Sequence, residues 1–260
     1  MNLELTGKNA VITGGTHGIG LSAAIALARE GCNVAVCSRT RDRVKSALKE
    51  LRKEKIGCIG MQADVLNPND IKKFCKSVIK EWGTIHILIN NVGGGGSWGS
   101  EVVEETPEDV WLDVYSKNAT AAIRFTVFFL PYMRKQKWGR VVTVASRHGR
   151  EGGGRPWFNM AKSAEISLMK TLSMNYGLAR DGITFNTVAP GGIMIPETGW
   201  AQQKEMDPAG FKEMVDKQFP MGRMGTSQEV ADVITFICSE KASLVTGAAI
   251  PIDGGESTAF

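Results

Sequence analysis

Short runs of apolar, β-branched residues alternate along the chain with longer stretches whose apolar positions recur every three to four residues. The first kind predicts strands and the second predicts helices. Strands are predicted over 9–13, 33–38, 58–62, 85–90, 140–146, 183–188 and 249–252. Helices are predicted over 19–30, 42–55, 68–82, 158–180 and 229–239, with 110–135 forming one long helix or two joined ones. Asn67 and Pro68 read as the cap and first residue of the third helix. Seven strands alternating with helices imply an α/β fold, a single doubly wound Rossmann-like domain over 1–260 with a seven-stranded parallel sheet covered on both faces. The strand runs are apolar throughout, as burial of both sheet faces requires. Residues 92–105 and 191–225 match neither pattern. Each follows a strand, and ligands of such sheets bind beyond the strands' carboxyl ends. Both segments are therefore expected at a ligand crevice, with 191–225 as a lid over substrate.

Composition narrows the class. Hydrophobic residues are 43% and charged residues 22% of the chain, which is globular usage. The net charge of +4 is small and dispersed, so no nucleic-acid partner is expected. No apolar run is long enough to cross a membrane. The start, Met1-Asn2-Leu3-Glu4, has no basic segment leading into an apolar one, so no secretory leader is expected. Five cysteines without a C-x-x-C pair read as reduced, mostly buried thiols, which points to the cytoplasm. Glycine is the outlier with 30 residues, and they cluster in a few loops.

One cluster is Thr13-Gly14-Gly15-Thr16-His17-Gly18-Ile19-Gly20, between the first strand and the first helix. Glycines there let backbone N–H groups approach a pyrophosphate at the helix N-terminus. After the second strand comes Ser38-Arg39-Thr40-Arg41, where an NAD site would carry an acid for the ribose hydroxyl. Arginine suits a 2′-phosphate instead. The expected cofactor is NADP(H), with Arg39 and His17 near that phosphate.

Several further motifs follow in order: Asp64-Val65, Asn90-Asn91-Val92-Gly93, Asn118, Ser146, Lys162, Pro190-Gly191, Thr246-Gly247 and Ile252-Asp253-Gly254-Gly255. Together with the glycine loop they resemble the short-chain dehydrogenase/reductase family over nearly the whole chain. The resemblance implies that Gly14, Thr16, His17, Gly18, Ile19, Ser38, Arg39, Asp64, Val65, Asn91, Gly93, Lys162, Pro190, Gly191 and Ile193 bind the cofactor. It implies that Ser146 hydrogen-bonds the substrate oxygen, that Lys162 holds the nicotinamide ribose, and that Asn118 anchors a water in a proton relay. A homotetramer without a catalytic metal is implied as well.

The family's Y-x-x-x-K motif reads Phe158-Asn159-Met160-Ala161-Lys162 here. Residues four apart share a helix face, so the Phe158 ring takes the tyrosine's place and the proton-donating hydroxyl is gone. Tyr115, Tyr132 and Tyr176 do not rebuild the motif. The chain reads as a Tyr-to-Phe variant inactivated for turnover; a member using another acid, such as His148, and a non-catalytic NADP(H) binder are the alternatives. Ile195 stands where the family often has a threonine that contacts the nicotinamide end.

Between Ser146 and Phe158 lie Arg147, His148, Arg150, Arg155 and Trp157, and Trp98 follows the fourth strand. These side chains are the candidate substrate contacts. They suggest a polar or anionic small molecule, such as a sugar or nucleotide sugar, held by arginine and stacked on tryptophan. Met194, Trp200, Met206, Phe211, Met214 and Phe219 are expected to border one apolar pocket, which suits the runner-up substrate, a 3-ketoacyl thioester.

Overall fold

The apolar runs form the predicted strands. In the computed structural model, which describes residues 1–260, these are β1 (Asn9–Thr13), β2 (Asn33–Ser38), β3 (Cys58–Gln62), β4 (Ile87–Asn90), β5 (Gly139–Val144), β6 (Ile183–Pro190), β7 (Ile193–Met194), β8 (Gly225–Thr226) and β9 (Ala249–Ile252). Seven of them make one parallel sheet in the order β3-β2-β1-β4-β5-β6-β9, and β7 with β8 makes a small ribbon. The strand order reverses between β1 and β4, which opens a crevice at their carboxyl ends.

Ten helices connect and cover the strands: α1 (Gly18–Arg29), α2 (Arg41–Leu51), α3 (Pro68–Trp82), α4 (Glu108–Tyr115), α5 (Ala121–Lys135), α6 (Pro156–Ser173), α7 (Tyr176–Arg180), α8 (Gly199–Met206), α9 (Pro208–Gln218) and α10 (Ser227–Ile237). Successive strand residues face opposite sides. Ala10 and Ile12 join a core with Leu27 of α1 and Ile234 of α10. Val11 between them joins the other core, with Phe74 of α3 and Phe125 and Phe129 of α5. This double burial is why the runs carry no polar alternation.

The 110–135 stretch takes the two-joined form of its two expected alternatives, and the structure differs from the sequence expectation at two other helices. The 110–135 stretch is α4 and α5 joined by a π turn at Ser116–Thr120. The 158–180 stretch is α6 and α7, because the Asn175 side chain accepts from Leu178 N at 3.1 Å and caps a new helix. The 42–55 stretch leaves the α-helix after Leu51 and ends with Lys55 in the left-handed region at φ 56°. The unassigned 191–225 segment holds β7, α8 and α9. Asp207 caps α9 by accepting from Gly210 N at 2.9 Å. All five cysteines are unpaired; four are buried and Cys58 is half-buried. No helix is long and apolar enough to cross a membrane.

Candidate active site

The glycine loop is held by the strand beside it. Thr13 Oγ1 accepts from Asn91 N at 2.9 Å and from Val92 N at 3.0 Å. Asn91 Nδ2 donates to Thr13 O at 3.0 Å and to Gly14 O at 3.3 Å. Gly14 lies at φ +64°, where a Cβ would also come within 2.9 Å of Val92 Cγ2. His17 precedes α1 in an extended conformation and gives it no side-chain cap. The first N–H groups of α1 therefore remain available to an anion at the positive end of the helix.

Around this loop is a cleft of about 250 Å³ lined by Gly14, Thr16, His17, Ser38, Arg39, Arg43, Asp64, Val65, Asn91, Gly93 and Lys117, among others. The Arg39 side chain is exposed and makes no ion pair, whereas Arg43 meets Glu197 at 3.2 Å. Asp64 is oriented by Leu66 N, which donates to Oδ1 at 3.0 Å. Burial lowers the Lys117 pKa, and Arg39 pushes it the same way while Asp64 opposes. The cleft is thus rimmed by cations at its outer end.

His17, Asn91 and Gly93 also line a second cavity of about 470 Å³. Its walls include Gly18, Ile19, Ser146, Phe158, Lys162, Pro190, Gly191, Ile193, Ile195, Thr198 and Trp200. Every residue read from the sequence as cofactor-binding borders one of these two joined spaces. Ser146 follows β5, and its Oγ accepts from His148 N at 3.2 Å, which leaves the hydroxyl proton to donate. Phe158 and Lys162 lie one turn apart on α6. The Lys162 ammonium is 5.8 Å from the Phe158 ring centroid. It donates to Val144 O at 2.9 Å and to Glu165 Oε2 at 2.9 Å.

Asn118 sits behind this wall, fully buried in the π turn. The turn frees Val114 O, which accepts from Asn118 Nδ2 at 2.7 Å. The same side chain accepts from Gly94 N at 3.1 Å and donates to Gly94 O at 2.9 Å. A Cβ on Gly93 would meet Asn118 Oδ1 at 2.5 Å and Lys162 Nζ at 2.8 Å. Asn118 therefore fixes the glycine strand that passes beside Lys162.

The expected substrate contacts lie elsewhere. Arg147 pairs with Glu151 and with Glu256, each at 2.8 Å. Arg150 donates to Phe260 O at 2.6 Å, and Arg155 donates to Ser100 O at 2.9 Å and to Glu101 at 3.2 Å. None of the three borders the cavity, because acids and carbonyls of the same chain have taken them. Trp157 is fully buried; its ring packs edge-on against Trp111 and its Nε1 donates to Gly95 O at 3.3 Å. Trp98 packs beside that cluster, with the Lys117 ammonium 4.5 Å from its ring. His148 also lies outside the cavity wall, with Nδ1 buried and unpartnered; burial first, then Arg147, lowers its pKa. Of the apolar set, only Trp200 faces this cavity. Phe211 and Phe219 form a separate small core with Met194 and Met214 against it, and Met206 is exposed.

Sequence reasoning missed Arg43, Lys117 and Thr198 as lining residues. Thr198 lines the cavity, and its Oγ1 donates to Ile195 O at 2.6 Å. It offers the polar group that Ile195 lacks, and no spacing rule foretold it. Lys117 carried a signal, since it adjoins Asn118.

The donor set fits a phosphorylated dinucleotide. The α1 N-terminus suits a pyrophosphate, Arg39 a 2′-phosphate, Asp64 an adenine amine, and Lys162 and Thr198 the nicotinamide half.

Comparison with known proteins agrees with that geometry. The sequence pattern of the family described as enoyl-(acyl carrier protein) reductase matches residues 14–257. A 3-oxoacyl-[acyl-carrier-protein] reductase of Staphylococcus epidermidis is 30% identical over 250 residues, covering 95% of this chain and 98% of that protein. The L-sorbose reductase of Gluconobacter frateurii, solved with NADPH and L-sorbose, superposes with a TM-score of 0.92 at 30% identity and full coverage of both chains. An actinorhodin polyketide ketoreductase solved with NADPH superposes at 0.88 with 30% identity, covering 97% of this chain and 98% of that one.

Proposed function

The chain belongs to the short-chain dehydrogenase/reductase family, and we propose that its crevice is an NADP(H)-dependent oxidoreductase site for an uncharged polar carbonyl or alcohol, with turnover suppressed by Phe158. The observation that carries this reading is one cavity wall. Ser146, Phe158 and Lys162 share it, beside a cleft rimmed by Arg39 and Lys117. Neither an arginine nor a carboxylate lines that cavity, so a charged substrate would find only Lys162 and His17 there. A keto-sugar suits the polar reading, as L-sorbose does for its reductase. The 3-ketoacyl thioester is the second reading, favoured by the apolar side formed by Ile193, Ile195 and Trp200.

The bound cofactor supplies or accepts a hydride at the substrate carbon. Ser146 donates its hydroxyl proton in a hydrogen bond to the substrate oxygen and aligns it. Lys162 holds the cofactor ribose and brings positive charge to the site. Phe158 keeps the wall apolar but has no proton to give, and loss of a positioned acid costs about 10²–10⁴ in rate. Residues 191–225, of which Gly191, Ile193, Ile195, Thr198 and Trp200 line the crevice, are read as the lid, with Arg43–Glu197 tying it to the adenosine end. Exposed Leu112, Ile123 and Val127 on α4 and α5 offer an apolar face for a homotetramer. Unpaired thiols suit a reducing cytoplasm.

The test compares the chain with its Phe158→Tyr variant for NADPH oxidation on keto-sugars, ketoacyl thioesters and simple ketones. Turnover raised by about 10²–10⁴ in the variant is expected. Equal turnover by both would assign the proton to another residue. Inactivity of both, with NADPH bound, would favour a non-catalytic NADP(H)-binding role.

A further inference from the structure

Lys162 is followed one helical turn later by Glu165, an acid with 1% of its surface exposed. A buried carboxylate needs a partner, and the Glu165 side chain has one hydrogen bond, from Lys162 Nζ at 2.9 Å. An ammonium has three N–H donors. Val144 O takes one and Glu165 takes a second. The third is left for the open side, where Gly93 carries no Cβ to fill the space. Buried ion pairs are poor sources of stability, since apolar replacements of the whole pair often fold as well. Stability therefore does not explain an acid at this place, whereas the location of Lys162 on the cavity wall does.

We propose that Glu165 is a positioning residue: its carboxylate, as the counterion of the Lys162 ammonium, aims the third N–H at the nicotinamide ribose. The proposal rests on the cofactor site argued above. In the absence of a tyrosine hydroxyl at 158, Val144 O and Glu165 are the only protein groups that hydrogen-bond the ammonium. Lys117, on the π turn, is a nearby cation, and its own pKa is lowered in part by Lys162. Arg147 and His148, on the turn after Ser146, face Glu151 and Glu256 instead. Burial pushes the Glu165 carboxyl up to about 7 against the pull of Lys162, so the carboxylate, and the ion pair with it, forms as pH rises through neutrality.

The experiment is NADPH binding by fluorescence from about pH 6.5 to 9, with the chain and with Glu165→Gln. Glutamine keeps the shape and removes the countercharge, so no ion pair aims the Lys162 ammonium. Affinity of the variant is expected to match the parent at the acid end. Above about pH 7, where the parent's Glu165 ionises, the parent is expected to bind several-fold tighter while the variant stays nearly flat. The double variant Lys162→Met with Glu165→Leu removes both charges and is expected to bind weakly with no such pH step. A Glu165→Gln profile parallel to the parent's, or a pH step surviving in the double variant, would overturn the proposal. Absence of NADPH binding by the parent would overturn the cofactor reading and this inference with it, which separates the two failures.

Discussion

Two groups of arginines look alike in the sequence and behave differently in the structure. Arg39 follows a strand at the crevice, and its exposed side chain makes no ion pair. Arg147, Arg150 and Arg155 also follow a strand at the crevice, yet each is occupied by its own chain. The difference lies in what surrounds them. Arg147 has Glu151 four residues later, within reach on the same turn, and Glu256 comes from the far end of the chain.

The occupied arginines do structural work of unequal size. Glu256 is 8% exposed at its side chain, Glu151 11% and Arg147 24%. The Glu256 carboxylate also accepts from Gly192 N at 2.6 Å, so this network anchors the cavity's Gly191–Gly192 turn to the loop after Ser146. Arg147→Ala strands two nearly buried carboxylates. It is expected to cost about 2 kcal/mol, below the figure for fully buried pairs because the site keeps some solvent. Chemical denaturation measures it; an unchanged midpoint with a large rise in substrate KM would restore Arg147 as a substrate contact.

The same network predicts an acid limb. Burial raises the Glu151 pKa, but hydrogen bonds from Thr258, Arg147 and Ala259 outweigh it and hold the carboxyl at about 2 instead of the ordinary 4.5. Its stabilisation is therefore complete above about pH 4.5 and lost as pH falls toward about 2. In Arg147→Ala this part of the acid sensitivity should shrink, as read from denaturation midpoints along a pH series. The smallest effect belongs to Arg155, whose partner Glu101 is 92% exposed. Arg155→Ala should cost under about 1 kcal/mol and leave substrate KM unchanged.

The crevice was legible in the sequence because its parts are local. Glycines in one loop, an arginine after one strand, and Ser146, Phe158 and Lys162 at fixed spacings need only the strand-helix alternation to place them. The strands were legible because burial on both faces leaves unbroken apolar runs. The π turn was not, since one inserted residue at Ser116–Thr120 hardly alters the helical periodicity. Trp157 was misread because an aromatic near the active site and an aromatic in a small core carry the same letter; only Trp111 packing against it decides. Helices α8 and α9 were missed although Asp207-Pro208 is a helix-start signal, because their short apolar faces meet each other, Trp200 edge-on against Phe211, and not the sheet.

The central claim is that Arg39 is the free cation of the pair of groups and reads a 2′-phosphate. The direct measurement is titration of the chain and of Arg39→Ala with NADPH and with NADH. The parent is expected to prefer NADPH by about tenfold or more, and the variant to lose about 1.5 kcal/mol on NADPH alone, the scale of one hydrogen bond to a charged group. Equal affinity of the parent for both nucleotides, or an Arg39→Ala variant that keeps the preference, would contradict it.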